Sequence, residues 1–321
     1  MQGFVVFSGG VPRRAPGRIA GMAAAMLSAV LFPVPIAAAQ VAVLLSKNLG
    51  PYAEAVQGLK DSLKGDSFMD FDLGGEEGAG KSTLKKITAK TPDVIVSVGG
   101  TALKVAASNE KSTPVVFAMV LRPEKLYDTT QGNVAGVTPD VDYGIQFERL
   151  SKILPNVKTL GVLYNPDSSK AEMEKAKEQA ARYGIELQAQ AASSDKDVPS
   201  SFRAVANKVQ AWWLYPESSI LTVDALKFLA LETTKRSIPV VAPAEKFFKL
   251  GACFAIQATY RGVGQQTSEV VKRILESGDT PKSIGVEKAR HVEVVLNRKV
   301  ADTLKISVPP EAQKFVDRTV E

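Results

Sequence analysis

Residues 75 to 82 read GEEGAGKS and satisfy the nucleotide-binding pattern G-x-x-x-x-G-K-[ST] letter for letter. In a working phosphate loop, backbone N–H groups cradle the phosphates, the lysine reaches the outer ones and the hydroxyl holds magnesium. The flanks suit that role, since SFMDFDL (67–73) reads as a strand and STLKKITAK (82–90) as a helix. The charges do not suit it. Glu76 and Glu77 would stand inside the cradle and repel phosphate, and the next strand-like run, DVIVSVGG, has no terminal aspartate for magnesium. The match is read as coincidence.

Other reactive types are scarce. The single histidine, His291, and the single cysteine, Cys253, cannot furnish a zinc ligand set. Ser82 and Lys85 fit S-x-x-K, but no S-D-N or K-T-G accompanies them. No catalytic residue, metal or cofactor is therefore assigned, and His291 is taken as a surface or strand-edge residue. Trp212, Trp213 and Tyr215 could offer an aromatic wall to a ligand. Neighbours on a strand point to opposite faces, however, so packing against helices explains the two tryptophans better.

The elements that must carry any site alternate. Apolar runs VAVLLS, FMDFDL, DVIVSVG, PVVFAMV, TLGVLYN, IELQAQA, AWWLYP and IPVVAP are separated by helix-compatible stretches. That order predicts an α/β fold with parallel sheets covered by helices on both faces. Four β/α steps run from Gln40 to about Val120 and four more from Thr159 to about Ala242, with a connecting segment between them that contains NVAGV. A helix is expected over 169–183, with Ser169 and Glu172 at capping-box spacing and Gly184 ending it. The charged run KAEMEKAKEQAARY within it reads as a solvated face.

Arg13, Arg14 and Arg18, an apolar stretch from Ile19 to Ile36 broken by Pro33 and Pro35, and the small residues Ala37 and Ala39 read as a secretory leader over 1–39, cut before Gln40. Its removal takes three basic residues from the 40 present, against 34 acidic ones, so the net charge falls from +6 to about +3. Nucleic-acid binding has little support at that charge. With no cysteine at the cut, lipid anchoring is not expected either, and a bacterial periplasm is the natural compartment. The remaining 282 residues, Gln40 to Glu321, approach the size at which one core divides into two lobes.

In parallel sheets, ligands sit beyond the carboxyl ends of the strands. Those ends carry SKNLGPY (46–52), GGT (99–101), NPDSS (165–169) and YPESS (215–219). The chain resembles the substrate-binding proteins of ABC transporters with the type I periplasmic-binding fold, in particular the tryptophan-type branch. The resemblance spans nearly all of 40–321 and rests on PDVIVSVGGTA, TPVVFAMV, GNVAGVT, LPNVKTLGVLYNPDSS, IPVVAPAEKFFKLGACFAI and VVLNRKVADTLKISVPPE, in that order.

The resemblance implies two Rossmann-like lobes joined by a hinge, the first formed by 40–138 plus about 257–290 and the second by 139–256 plus about 291–321. It also implies capture of a small molecule and delivery to an ABC permease by a monomer that catalyses nothing, with residues 75–82 demoted to a surface connection. A periplasmic module reporting to a membrane receptor is the alternative, and an exported enzyme the second. Expected ligand contacts are Ser46, Tyr52, Gly100, Thr101 and Met119 from one lobe, and Asn165, Ser168, Ser169, Tyr215, Glu217 and Ser218 from the other. Where similar proteins often carry Asp-Pro and Ser-Asp-Glu, this chain has Arg122-Pro123 and Pro243-Ala244-Glu245. That departure makes Arg122 a candidate anchor for a carboxylate, within a ligand class of amino acids, aromatic compounds or carboxylate-bearing solutes.

Overall fold

The computed structural model describes Gly3, residues 38–128 and residues 132–321. The expected leader lies outside the described residues except for Gly3, Ala38 and Ala39. No helix among the described residues is long and apolar enough to cross a membrane.

Two sheets organise the chain. The first contains β1 (Gln40–Leu45), β2 (Ser67–Asp72), β3 (Val94–Val98), β4 (Val115–Ala118) and β5 (Val134–Val141). The second contains β6 (Thr159–Tyr164), β7 (Glu186–Ala191), β8 (Ala211–Trp213), β9 (Val240–Ala242) and β10 (Phe254–Ala258). The chain then returns to the first sheet as β11 (Val286–Ala289) and ends in the second as β12 (Val292–Asn297) and β13 (Arg318–Val320). The strand orders are β11-β5-β4-β3-β1-β2 and β13-β12-β10-β9-β8-β6-β7. Pairing is parallel throughout except between β10 and β12.

Helices cover both faces of each sheet, and the near-continuous apolar strands follow from that double burial. The principal ones are α1 (Gly50–Ser62), α2 (Gly80–Thr88), α3 (Gly100–Asn109), α4 (Tyr143–Ile153), α5 (Pro166–Arg182), α6 (Val198–Val205), α7 (Val223–Lys235) and α8 (Tyr260–Leu275). Along β1 the side chains alternate, Val41 and Val43 packing with Leu59 of α1 and Val263 of α8, Ala42 and Leu44 with Leu84 of α2 and Leu103 of α3. The tryptophans divide the same way. Trp212 joins Phe202 and Leu229 on one face of the second sheet, and Trp213 joins Tyr143 and Phe147 on the other. Both are buried in the core, as their alternation predicted. Cys253 is buried there as well, and burial pushes its thiol up to about 12.

The expected boundary of α5 needs correction. The helix starts at Pro166, not Ser169, and its cap is Asn165, whose side chain accepts from the Asp167 amide at 3.0 Å. Proline at the first helical position lacks the N–H that would need a partner there, so Asn-Pro is the stronger start signal and overrides the Ser169/Glu172 spacing. Glu172 is thereby released for other partners. The helix still ends just before Gly184.

Helices α1 and α8 cross so closely that their backbones nearly touch. A methyl group on Gly264 would stand 1.8 Å from the Ala55 carbonyl oxygen, and one on Gly58 would stand 2.1 Å from that of Arg261. Backbone cannot yield as a side-chain tip can. Gly264→Ala is therefore expected to cost about 1–3 kcal/mol through overpacking. Urea unfolding measures this, and an unchanged midpoint would show that the two helices do not pack as described.

Candidate ligand-binding site

In an open parallel sheet the natural crevice lies where strand order reverses, because the loops leaving the two adjacent strands run to opposite faces. The first sheet reverses between β1 and β3, and the second between β6 and β8. The loops at these four strand ends begin with Ser46, Gly99, Asn165 and Leu214, and the last runs on to Glu217.

At the first reversal, Ser46 is buried, and its Oγ accepts from the Ala102 amide of α3 at 2.8 Å. Gly99 caps α3 at φ 88°, in the region that favours glycine. A methyl group there would lie 2.7 Å from both Ser46 Oγ and Tyr52 Oη, so the Tyr52 hydroxyl reaches the start of α3 beside Ser46. Gly100 and Thr101 are half-buried in the first turn of that helix. Beyond β4, Met119 and Arg122 have φ 60° and 50°, two non-glycine residues in left-handed conformation within four positions. Such strain persists only where surrounding structure imposes it, and it clusters at binding loops.

At the second reversal, Asn165 donates to Ser219 Oγ at 3.1 Å and to the Ser193 carbonyl at 3.3 Å. Glu217 is only 1 % exposed, yet its carboxylate is fully served. Ser168 donates to Oε2 at 2.8 Å and Ser169 donates to the same oxygen, while Ser219 Oγ donates to Oε1 at 2.9 Å. Burial alone would raise this carboxyl, but the hydroxyls of Ser169, Ser168 and Ser219 and the charge of Arg122 outweigh it and hold it below the usual range. Arg122 Nη2 lies 3.4 Å from Oε1, so a side chain from the end of β4 meets one from the end of β8. Ser218 is exposed, and it is the next residue, Ser219, that bonds Glu217.

Tyr215 is 9 % exposed and packs on Trp213 with ring centroids 5.4 Å apart. Trp213 in turn meets Tyr143 edge-on at 5.9 Å and donates to Gln146 Oε1 at 3.0 Å. A second link between the sheets adjoins this cluster. Lys288 of β11 pairs with Glu172 of α5 at 2.9 Å and stands 3.6 Å above the Tyr143 ring, whose hydroxyl also donates to Glu172 at 3.0 Å. Burial, with the nearby Tyr215 and Glu172, drives the Tyr143 hydroxyl upward. Against its own burial, Glu172 is held down to about 2 by Lys175, Lys288 and Tyr143. Asp140, at the end of β5, is raised by burial, with the charges of Lys288 and Arg122 opposing. Sequence reasoning missed Asp140, Tyr143, Lys288 and Ser219, and the first three stand in no recognisable local pattern. Ser219 alone had a signal, as the last residue of the YPESS strand-end run.

The phosphate-loop match fails on geometry too, because Glu77–Ala79 is a tight helical turn that runs straight into α2 at Gly80 and leaves no open loop before Lys81. The amides of Gly74, Gly75 and Glu76 donate to Asp72 Oδ1, the Ser46 carbonyl and the Leu73 carbonyl. Glu77 pairs with Lys104 at 2.8 Å. The segment braces the loop after β1. His291 is exposed, and no group of acidic, histidine or cysteine side chains among the described residues could hold a metal ion.

The sequence profile of the ABC transporter substrate binding proteins matches residues 40–320. The chain belongs to that family. As a substrate-binding protein it has the type I periplasmic-binding fold, and solved structures share it. A conserved domain protein from Vibrio cholerae o1 biovar eltor is 26 % identical, with 88 % of this chain and 99 % of that one covered and a TM-score of 0.52. An ABC domain in complex with L-Trp from Streptococcus pneumonia is 22 % identical over 88 % and 100 %, at TM-score 0.53. A ligand-free, open substrate-binding protein with adhesive properties from Clostridium difficile is 17 % identical over 88 % and 99 %, at TM-score 0.65. The last two likenesses speak for fold alone. No match was found among curated proteins.

Two outcomes follow for this substrate-binding protein. Gly99→Ala would force a methyl group against Ser46 and Tyr52 at a strained φ, and is expected to cost about 1–3 kcal/mol in thermal unfolding; an unaltered melting temperature would disprove the convergence at α3. The depressed Glu172 stabilises the fold above its unfolded value near 4.5, and that contribution is lost as pH falls through about 2. Glu172→Gln should therefore be less stable than the wild type at neutral pH and lose less between pH 5 and pH 2. Parallel urea midpoint curves across that range would show that the Lys288 link does not form.

Proposed function

We propose that this protein is an exported periplasmic solute-binding protein that captures a small organic ligand between the strand ends of its two sheets and presents it, unchanged, to an ABC permease. The observation that carries the reading is the Arg122–Glu217 contact, which joins the loop after β4, the neighbour of β3, to the loop after β8 and so supports one space shared by the two strand-order reversals. The lobes would be 40–138 with about 257–290, and 139–256 with about 291–321. Helix α8, packed against α1, supports giving 260–275 to the first lobe.

Function follows from differential affinity. A ligand touching only one lobe leaves the balance of open and closed forms unchanged, whereas one touching both favours the closed form by the contacts that form only there. Ser46, Tyr52, the first turn of α3 and Met119 would supply one wall. Asn165, Ser168 and Ser218 would supply the other. Ser169 and Glu217, being buried, serve by holding Arg122 and the Ser168 hydroxyl in place, and Tyr215 by closing the aromatic floor. The loop strain at Met119 and Arg122 supports assigning that segment to the ligand rather than to packing.

A thermal-shift panel of amino acids, carboxylates, sugars and Mg-ATP tests the proposal on protein unfolded and refolded to strip bound solute. A solute at about one hundred times its dissociation constant should add about 2.7 kcal/mol and raise the melting temperature by several degrees. No shift with any charge class, or chemical turnover of the solute that binds, would overturn the reading.

A further inference from the structure

We infer that the ligand is a carboxylate with an apolar body and without an ammonium group, docked on the free edge of Arg122. The inference rests on the solute-binding reading and specifies the ligand class for that same cleft. A carboxylate offers about four acceptor positions. Those of Glu217 are taken by Ser168, Ser169, Ser219 and Arg122, and with 1 % exposure the group has no surface left for a ligand ammonium. Glu172 is likewise engaged, by Lys175, Lys288 and Tyr143. Asp140 and Glu124 are the other carboxyls of the region. The charges of Lys288 and Arg122 both bear on Asp140, and Glu124, two residues after Arg122, is exposed to solvent, so neither offers a ligand ammonium an enclosed, uncompensated anion.

Arg122 is the converse case. Its guanidinium has five N–H donors in a planar fork, suited to two-point recognition of a carboxylate. Only Nη2 makes a bond among the described residues, and that one is long, at 3.4 Å. The side chain is 31 % exposed, so Nε and Nη1 remain open to solvent while Glu217 fixes the opposite edge. The start of α3, whose Ala102 amide alone is taken by a side chain, that of Ser46, adds partial positive charge near the loop after β4, since a methyl group on Gly100 would stand 3.2 Å from Leu126. In the same loop as this anchor, Leu121 is 62 % exposed and Met119 is half-buried. An exposed aliphatic side chain next to Arg122 in the chain suits a ligand with a hydrocarbon or aromatic body better than a polyol.

Isothermal titration of the purified, solute-stripped protein with matched pairs decides the matter: 3-phenylpropanoate against phenylalanine, and 4-methylpentanoate against leucine. The acid lacking the amino group is expected to bind at least tenfold tighter than its amino acid. Arg122→Gln should weaken the acid by tenfold or more, and Arg122→Lys, which keeps the charge but loses the fork, by less. Glu217→Gln should tighten acid binding severalfold, because it removes the anion that shares Arg122. Tighter binding of the amino acid, or weaker binding in Glu217→Gln with its fold intact by circular dichroism, overturns the inference. The comparison within each pair needs no variant, so it stands even if Glu217→Gln does not fold. Binding of a neutral sugar alone would sink the carboxylate inference and leave the solute-binding reading in place. Binding of none of these solutes, nor of cationic ones, would remove both.

Discussion

Arg122 and Glu217 stand 95 positions apart in sequence, at the ends of strands in two different sheets, and each depends on the other. The carboxylate could not remain ionised at 1 % exposure without donors, and three serine hydroxyls and the guanidinium supply them. The guanidinium, leaving β4 from a left-handed residue, is held toward the second sheet by that carboxylate. Remove Arg122 and the enclosed Glu217 carboxylate keeps only its serine donors, which is costly; remove Glu217 and the guanidinium, 31 % exposed, still has water. The surroundings follow from this constraint: serines at the start of α5, Asn165 tying Ser219 down, and a strained segment between Ala118 and Pro123.

The second link, Lys288 with Glu172 and Tyr143, has a different character. It is partly exposed and adjoins the aromatic floor, where Lys288 stacks over Tyr143 and Trp213 lies edge-on beneath. A cation over a ring and a carboxylate beside it can separate and re-form with little desolvation cost, as elements that change relative position require.

Much of the fold was legible because double burial leaves a plain mark. Eight apolar runs became strands of two parallel sheets, and the opposed faces of Trp212 and Trp213 follow from the two-residue repeat alone. Positions tied to strand ends were legible as well, since Ser46, Gly99 and Asn165 occupy the reversals that topology makes special. Side-chain reach was not. Nothing local marks Lys288 as the partner of Glu172, 116 residues away, or shows that Glu217 would be enclosed by serines. The misjudged start of α5 came from weighing a Ser-x-x-Glu spacing above an Asn-Pro pair. GEEGAGKS shows the limit of a pattern without its setting: Glu77–Ala79 coils straight into α2 at Gly80 and the Glu77 carboxylate pairs with Lys104, so no open cradle is formed.

The central claim is that the loops at the two strand-order reversals form one site, and amide hydrogen exchange on the whole protein tests it most directly. Exchange would be compared with and without 3-phenylpropanoate, or with the solute that stabilises the protein most if that acid does not bind. Slower exchange is predicted together in 46–52, 99–103, 119–126, 165–169 and 215–221, with 74–82 changing no more than the bulk. Protection confined to one sheet's loops, or centred on 74–82, would contradict the account.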